Sequence, residues 1–359
     1  LLRSYLPTLK AFAGSETFQT GVYTSQSQPY GGVEANVNLF NGGKDSLEEN
    51  IRQSQVRAAE ANVQKTFASE IQDARNLYWK IVSNRELIKA LTHSLELNEK
   101  SLAMANRRIS RGISTETDRL EFQIHKSQIK EEFESVSHAT LLLQISLSAV
   151  LGMEPQSKFK TAEAIPHIHD DELLNKKVEA TDHSDYILLR ANQESLSSQH
   201  RQTTRWWLPS LDVYSAYQLY TLRERDFLVQ QDRIDSAVGA RLSVEFDFFK
   251  LADASALSLQ AQAFEKQAQQ KALSLVAGLQ VAKEDLKHEH ELVHWSEERV
   301  EQGKKYFGRT LDEYNRGVKN SIDLLSAAQR NLNFQRENIE RRRNYQISKN
   351  SVLFLLNEY

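Results

Sequence analysis

The sequence contains no cysteine and only 5 prolines and 13 glycines among its 359 residues. Without cysteine the chain cannot form a disulfide, a thiolate metal site or a cysteine nucleophile. Because proline and glycine interrupt helices, their scarcity favours long helices over loops. The longest nearly apolar run, 139–153, contains Gln and Ser and is shorter than the roughly 18 residues that a membrane-spanning helix needs. No transmembrane helix is therefore predicted, and no signal peptide is visible at Leu1.

An excess of basic charge is also missing. The net charge is −3 and the isoelectric point is near 6.4, so the chain has no surplus of cations to neutralise phosphates. The sequence also lacks a phosphate-binding glycine loop and a nucleophile elbow. We accordingly predict no enzymatic activity, no nucleic-acid partner, no cofactor and no resident metal, and we expect protein partners.

Two short stretches repeat one pattern: "ISRGISTETDRL" begins at Ile109 and "YNRGVKNSIDLL" begins at Tyr314. Each has Arg-Gly, an Asp six positions after the glycine and a Leu two positions further on. An offset of 205 positions joins Gly112 to Gly317, Asp118 to Asp323 and Leu120 to Leu325. The motif Leu-Pro-x-Leu, at Leu6 and Leu208, repeats at an offset of 202. These matches indicate an internal duplication of the chain.

Each half contains segments in which apolar and polar residues alternate, which is typical of strands with one dry and one wet face. The alternation predicts strands over about 7–41 and about 209–248. In the last segment the apolar positions continue to Phe248 and comprise Val238, Ala240, Leu242, Val244, Phe246 and Phe248. The predicted polar face carries Asn36, Asn38, Arg241, Glu245 and Asp247.

After each strand pair the apolar spacing changes to the 3.6-residue period of helices. The first repeat, 1–151, is predicted to contain helices over about 44–108 and 115–151, and a connector follows at 152–182. The second repeat, 183–359, is predicted to contain helices over about 183–205, 250–313 and 319–357. The hairpin tips are predicted at 111–114 and 316–319, where glycine can adopt the left-handed geometry that ends a helix. Since helix 183–205 has no counterpart in the first half, we expect one more helix and a signal peptide upstream of Leu1.

Four amphipathic strands leave one apolar face to be covered. A single four-stranded sheet cannot close into a membrane barrel, which needs about eight strands or more, whereas three copies would supply twelve. The apolar face would then meet lipid and the polar face a lumen, with Trp206, Trp207 and Tyr5 at the membrane interface. The predicted fold class is a mixed α/β membrane protein, in which a trimeric 12-stranded β-barrel continues into a tunnel of antiparallel α-helical hairpins.

These features together resemble the TolC-like outer-membrane efflux proteins over essentially the whole chain. The resemblance rests on the duplicated Leu-Pro-x-Leu motifs, on "NLFNGGK" at 38–44, and on the paired tips with Arg-Gly and Asp. It implies a homotrimeric channel in the outer membrane of a Gram-negative bacterium, surrounded by outer-membrane lipid, with its helical part in the periplasm. It also implies an exit duct of a tripartite efflux or type I secretion system, which an inner-membrane transporter drives through a periplasmic adaptor protein.

The resemblance further implies two functional regions at the tips. The residues expected to bind the adaptor are Arg111, Gly112, Ile113, Ser114, Arg316, Gly317, Val318 and Lys319. Those expected to constrict and lock the closed tunnel are Asp323, Asp118, Tyr314 and Lys319. The sequence departs from the family where Ser326 replaces a second acidic residue one helical turn after Asp323. In addition, "EFDFFK" at 245–250 stands where the first repeat has Gly-Gly, so the two strand-to-helix transitions need not be identical.

Other features support alternative hypotheses. "HELVH" matches the His-Glu-x-x-His pattern of zinc proteases, with His290 and His294 as ligands and Glu291 as general base, although it lies within an uninterrupted charged helix. A soluble coiled-coil scaffold would account for the helices but not for the strands. "HIHD" at 167–170 is a weaker metal candidate, and "RRR" at 341–343 is interpreted as a helix face paired with glutamates. For Asp118 and Asp323, a role as polar groups near the hairpin ends is equally open.

Overall fold

The computed structural model describes residues 6–18, 26–155, 160–166, 172–222 and 231–358. Tyr5 and residues 167–170 lie outside the described residues. The first half contains strands β1 (Thr8–Phe18) and β2 (Gln26–Asn41) and helices α1 (Lys44–Ile109) and α2 (Glu116–Val150). The second half contains helix α3 (Ser184–Thr204), strands β3 (Ser210–Leu222) and β4 (Gln231–Ser243), and helices α4 (Lys250–Asn315) and α5 (Ser321–Leu355). Two 3₁₀ turns, Glu172–Asn175 and Ala180–Asp182, precede α3.

The chain divides into two compact units. The strand unit comprises Leu1–Ala61 and Asp185–Gln270, and the helical unit comprises Asn62–Ser184 and Lys271–Tyr359. In the parts of the chain that the structure describes, every helix is either too short or too polar to cross a bilayer.

The strand unit is built on one antiparallel sheet in the order β1-β2-β3-β4. Successive side chains of a strand point to opposite faces, and the cross-strand register places Leu9 beside Ala35, Ser215 and Val238 on one face. This apolar face is exposed within the chain, and Val238 retains 81% of its accessible surface. Its exposed members are Leu9, Val33, Phe40, Tyr217, Leu219, Ile234, Val238 and Leu242. A register shift between Asn38 and Phe40 indicates a bulge in β2.

Strand β4 ends earlier than the alternation of its sequence suggests. The apolar pattern predicts a strand through Phe248, but β4 ends at Ser243. Ser243 pairs with Ser210, the first residue of β3, so the chain beyond it has no partner strand on that side. Phe246 and Phe248 instead pack their rings edge-on against Trp206, at centroid distances of 6.3 and 5.7 Å. Burial against an aromatic side chain therefore replaces sheet pairing in this segment.

The two strand-to-helix transitions differ, as the sequence suggests. Before α1, Gly42 and Gly43 have φ of 59° and 69°, and Arg205 Nη1 donates a hydrogen bond to the Gly43 carbonyl at 2.9 Å. A Cβ on Gly43 would lie 2.8 Å from that guanidinium nitrogen. Before α4, the Asp247 carboxylate accepts a hydrogen bond from the backbone of Phe249 at 3.0 Å. The second repeat thus makes its turn with a side-chain acceptor instead of left-handed glycines.

Within the helical unit, α1, α2, α4 and α5 contribute apolar residues to a common core near the hairpin tips. Apolar positions spaced by three and four residues place these side chains on one stripe of each helix. The buried members of this tip cluster are Ala105, Phe122, Phe307, Tyr314, Leu324 and Ala327. The two hairpins are therefore packed against each other behind their tips.

A buried polar network lies further along the same unit. Arg342 is only 8% exposed, and its glutamate partner agrees with the interpretation of 341–343 as a helix face paired with glutamates. Its guanidinium pairs with Glu86 of α1 and donates hydrogen bonds to the Ile165 carbonyl and to Asn338 Oδ1, each at 3.0 Å. A buried arginine needs such complete pairing because an unpaired charge in the interior is costly.

Candidate functional site

The tip of the first hairpin is a Schellman turn that ends α1. Gly112 has φ of 72°, in the left-handed region that favours glycine. Its N–H donates to the Ile109 carbonyl at 2.9 Å, and the N–H of Ile113 donates to the Arg108 carbonyl at 2.9 Å. These two hydrogen bonds satisfy carbonyls that the end of a helix leaves without partners.

The tip of the second hairpin repeats this geometry. Gly317 has φ of 81°; its N–H donates to the Tyr314 carbonyl at 2.9 Å, and the N–H of Val318 donates to the Glu313 carbonyl at 2.9 Å. The repeated Arg-Gly motif therefore encodes one backbone turn, used at both tips.

The paired aspartates of the repeat begin the helices that follow the tips. Asp118 Oδ2 accepts a hydrogen bond from the N–H of Thr115 at 2.9 Å, and Thr115 Oγ1 accepts from the N–H of Asp118. Asn320 and Asp323 form the same capping box at the start of α5. A capping box satisfies backbone donors at a helix N-terminus. Both aspartates thus have a local structural role as polar groups at the hairpin ends.

Asp118 also reaches the other tip. Its second carboxylate oxygen, Oδ1, accepts a hydrogen bond from the hydroxyl of Ser321, which is 2% exposed. Burial raises the pKa of the Asp118 carboxyl, but hydrogen bonds from Ser114, Ser321 and Thr115 outweigh it and lower the pKa to about 2. The carboxylate is therefore ionised at neutral pH, and this charged acceptor joins the two hairpins.

Arg108 and Tyr314 make a second contact between the tips. The Arg108 guanidinium donates to the Tyr314 carbonyl at 2.5 Å and lies 4.6 Å from the centroid of its ring, within the range of a cation–π interaction. Tyr314 is 1% exposed, and its ring meets that of Phe122 edge-on at 6.3 Å. The hydroxyl is buried and finds no hydrogen-bond partner among the described residues. Burial accordingly raises the pKa of the Tyr314 phenol.

Lys319 and Asp323 contact each other within the second tip. Lys319 Nζ lies 3.8 Å from Asp323 Oδ2, and both side chains are exposed. The structure thus brings Asp118 and Tyr314 into contacts between the tips, whereas the described contacts of Lys319 and Asp323 stay within their own tip. Among the predicted adaptor-binding residues, Ile113 and Val318 are 61% and 72% exposed, and the side chains of Arg111 and Arg316 lie on the same exposed turns.

Two members of the inter-tip contacts, Arg108 and Ser321, were not predicted from the sequence. The duplication contained a signal for these two contact residues, because they lie at positions where the two repeats differ. At the offset of 205 positions, Arg108 corresponds to Glu313 and Ser321 corresponds to Glu116. Positions that make the turn agree between the copies, whereas among the positions that join the tips only Asp118 has an identical counterpart, Asp323. A contact between two copies is asymmetric and therefore needs different residues on its two sides.

The His-Glu-x-x-His motif lies within α4, as the sequence indicates. The His290 ring packs near Tyr345 at a centroid distance of 6.0 Å, and the His294 ring packs near Trp295 at 5.9 Å. Within the described ranges, no three histidine, aspartate or glutamate side chains are grouped to hold a metal ion. The zinc-protease hypothesis gains no support from this arrangement.

Comparison with protein families identifies a match in the first half of the chain. The family model for outer membrane efflux proteins matches residues 4–153, which contain β1, β2, α1, α2 and the first tip. Among curated proteins, none matches the chain in sequence.

Solved structures match over nearly the whole chain. The outer membrane protein VceC from Vibrio cholerae superposes with a TM-score of 0.82 at 13% identity, covering 99% of this chain and 88% of that one. The open state of the Neisseria gonorrhoeae MtrE outer membrane channel gives a TM-score of 0.77 at 13% identity, covering 99% and 82%. The Campylobacter jejuni CmeC outer membrane channel gives 0.76 at 14%, covering 99% and 78%. At these identities the likeness establishes the fold, which is the mixed strand and long-helix fold that the sequence predicts.

Proposed function

We propose that the chain belongs to the outer membrane efflux protein family, whose model matches residues 4–153, and that three copies of it form a channel through the outer membrane of a Gram-negative bacterium. The helical unit extends into the periplasm in this proposal. The channel is the exit duct of a tripartite efflux or type I secretion system. Its partners are a periplasmic adaptor protein and an inner-membrane transporter.

The four-stranded sheet is the observation that carries this proposal. One face is apolar and exposed, with Leu9, Val238 and Leu242 at 70% exposure or more, and the other bears Asn38, Asp212 and Arg241 in one cross-strand row. Strands β1 and β4 form the outer edges of the sheet, and an unpaired edge invites another strand. Three copies would join these edges into twelve strands, with the apolar face toward lipid and the polar face toward an aqueous lumen. A coiled-coil scaffold has no use for such a sheet.

The exposed turns at the tips are the proposed docking surface for the adaptor. Ile113 and Val318 occupy equivalent positions directly after the left-handed glycines, and both are largely exposed. In a Schellman turn this position often packs on its own helix, whereas here the corresponding helix residues are Arg108 and Glu313. Two apolar side chains, flanked by Arg111, Ser114, Arg316 and Lys319, offer a partner helix an apolar contact with a polar rim.

The contacts between the tips are the proposed closed-state lock. Asp118 with Ser321 and Arg108 with Tyr314 hold the two hairpins together, and adaptor docking would separate them. Asp323 and Lys319 at the second tip are proposed to line the constriction and to contribute charge to it. A ring of charged side chains at a narrow point selects among ions.

The experiment that tests the proposal combines two measurements on the purified protein. We expect a mass of three chains in mild detergent, together with discrete conductance steps in planar bilayers. A chain that stays monomeric with its strands formed would contradict the trimeric barrel. A trimer that extracts without detergent and does not conduct would favour the scaffold.

A further inference from the structure

Aromatic rings on the polar face of the sheet lie across glycines of the neighbouring strand. The cross-strand register pairs Phe12 with Gly32, Tyr30 with Gly14, and Tyr214 with Gly239. Alternation along the strands places all six residues on the face that carries Asn36 and Asn38. Three ring–glycine pairs therefore share one face.

The first two pairs are reciprocal between β1 and β2. A Cβ on Gly14 would lie 2.8 Å from Tyr30 Oη and 2.9 Å from its Cζ, and a Cβ on Gly32 would lie 2.8 Å from Phe12 Cζ. The far end of each ring thus occupies the space that a side chain on the neighbouring strand would fill. The two rings lie 6.0 Å apart. Each ring extends along the sheet instead of standing away from it.

The third pair includes a charged residue. A Cβ on Gly239 would lie 3.0 Å from Tyr214 Oη and 3.1 Å from its Cζ. The Arg241 guanidinium lies 4.8 Å from the centroid of the same ring. Gly239 thus makes room for the ring, and the ring holds the arginine near the sheet by a cation–π contact.

We propose that Gly14 and Gly239 determine the free width of the barrel lumen, because they allow Tyr30 and Tyr214 to lie along its wall. This inference rests on the proposed function, in which the polar face lines the lumen. Each position occurs three times in the trimer. A side chain on Gly14 or on Gly239 would therefore push three tyrosine rings away from the wall and into the path of the cargo. The free width of the barrel, as distinct from that of the proposed constriction at the tips, then depends on two residues that have no side chain.

Glycine normally weakens a strand, so its presence beneath these rings needs a reason. Neither Gly14 nor Gly239 has a positive φ, and the backbone therefore accepts other residues at both positions. Gly31 lies on the opposite, apolar face, where a Cβ would meet only the Phe12 carbonyl oxygen at 3.7 Å. It offers a matched control, since the same substitution there displaces no ring.

The test uses a single reporter thiol, because the chain has no cysteine of its own. Ala237→Cys places it on the polar face, two residues from Gly239. In the purified trimer we expect Gly239→Val to slow labelling of this thiol by a bulky, membrane-impermeant maleimide by about threefold or more, because Tyr214 is a diagonal cross-strand neighbour of residue 237 and its raised ring would obstruct the approach of the reagent. Gly31→Val should leave the rate unchanged, and Gly239→Val with Tyr214→Ala should restore it.

Gly14→Val provides a second measurement that does not use the reporter. The conductance of the fully open channel should fall, and adding Tyr30→Ala should restore it. Equal labelling rates and equal conductance in parent and valine variants, in a trimer that conducts, would overturn the inference and leave the proposed function intact. Slow labelling that persists without the Tyr214 ring would show that valine itself obstructs the lumen and would also overturn it. A parent protein that forms no conducting trimer would remove the proposed function and the inference together.

Discussion

The contact between Asp118 and Ser321 predicts a difference between two substitutions that look alike in the sequence. Asp118→Ala and Asp323→Ala each remove the acidic member of a capping box. Only Asp118→Ala also removes the acceptor that joins the two tips. Asp323→Ala is therefore the control for the lost capping-box hydrogen bond, and because Asp323 is also proposed to line the constriction, the two variants are compared in open probability and not in conductance.

The expected magnitude follows from the environment of the carboxylate. Losing the capping-box hydrogen bond from the N-cap backbone costs about 0.5–1.5 kcal/mol in either variant, since the N-cap side chains of Thr115 and Asn320 remain. Losing a hydrogen bond to a charged group costs about 1.5–3 kcal/mol more, and the buried Ser321 hydroxyl is left without its acceptor. The lowering of the Asp118 pKa from 3.8 to about 2 corresponds to about 2 kcal/mol for all hydrogen bonds of this carboxylate together, including those from Ser114 and Thr115. We expect Asp118→Ala to shift the closed-to-open equilibrium of each protomer roughly 10- to 100-fold further than Asp323→Ala.

Open probability in planar bilayers at pH 7 measures this difference, and hydrogen exchange of the Ser321 and Asp323 amides reports on the tips directly. Because the folded-state pKa of Asp118 is lowered, its stabilising contribution is fully present above about pH 4 and is lost as the pH falls through about 2. The parent channel should accordingly keep this contact between pH 7 and pH 4. Equal open probabilities and equal exchange rates in the two variants would refute the inter-tip role of Asp118.

Three further predictions concern the tips and the helical core. Tyr314→Phe removes a buried hydroxyl that has no described partner, so the thermal stability of the protein should stay equal or rise slightly. Tyr314→Ala should instead lower the free energy of unfolding by about 3–5 kcal/mol and raise the open probability of the channel. Alanine at Gly112 or Gly317 should cost about 1 kcal/mol of backbone strain. Export should be preserved, since a Cβ at either position would have no neighbouring atom closer than 3.8 Å. Tryptophan at either position should block adaptor docking and export, while the trimer persists. Arg342→Ala should destabilise the protein by about 3–5 kcal/mol in denaturant unfolding because it leaves Glu86 unpaired, and adding Glu86→Gln should recover part of that loss.

Much of the fold follows from local patterns in the sequence. Period-2 and period-3.6 spacing are properties of neighbouring residues, and they locate the strands and the long helices without reference to the rest of the chain. The left-handed glycines of the tips are equally local, because Gly112 and Gly317 adopt conformations that other residues resist. The end of β4, by contrast, does not depend on neighbouring residues alone. The alternation continues to Phe248, but β4 ends at the residue that pairs with Ser210, the first residue of its partner strand.

The residues of the candidate site likewise divide into those that local sequence identifies and those that only packing identifies. The repeat identifies Asp118 and Asp323 as a pair, and their common role, helix capping, is encoded within four residues of each. Their difference depends on Ser321, 203 positions from Asp118, and no spacing rule reaches that far. The run 341–343 likewise looks like three equivalent charges, although packing buries the middle one against Glu86.

By itself the sequence determined the duplication, the element types and the turns, because these depend on backbone preferences and on side chains a few residues apart. Tertiary structure alone decided which groups meet across the two hairpins and which rings lie over glycines on the neighbouring strand. Those contacts join residues far apart in the chain, and their energies depend on burial and hydrogen-bond geometry, which exist only once the elements have packed.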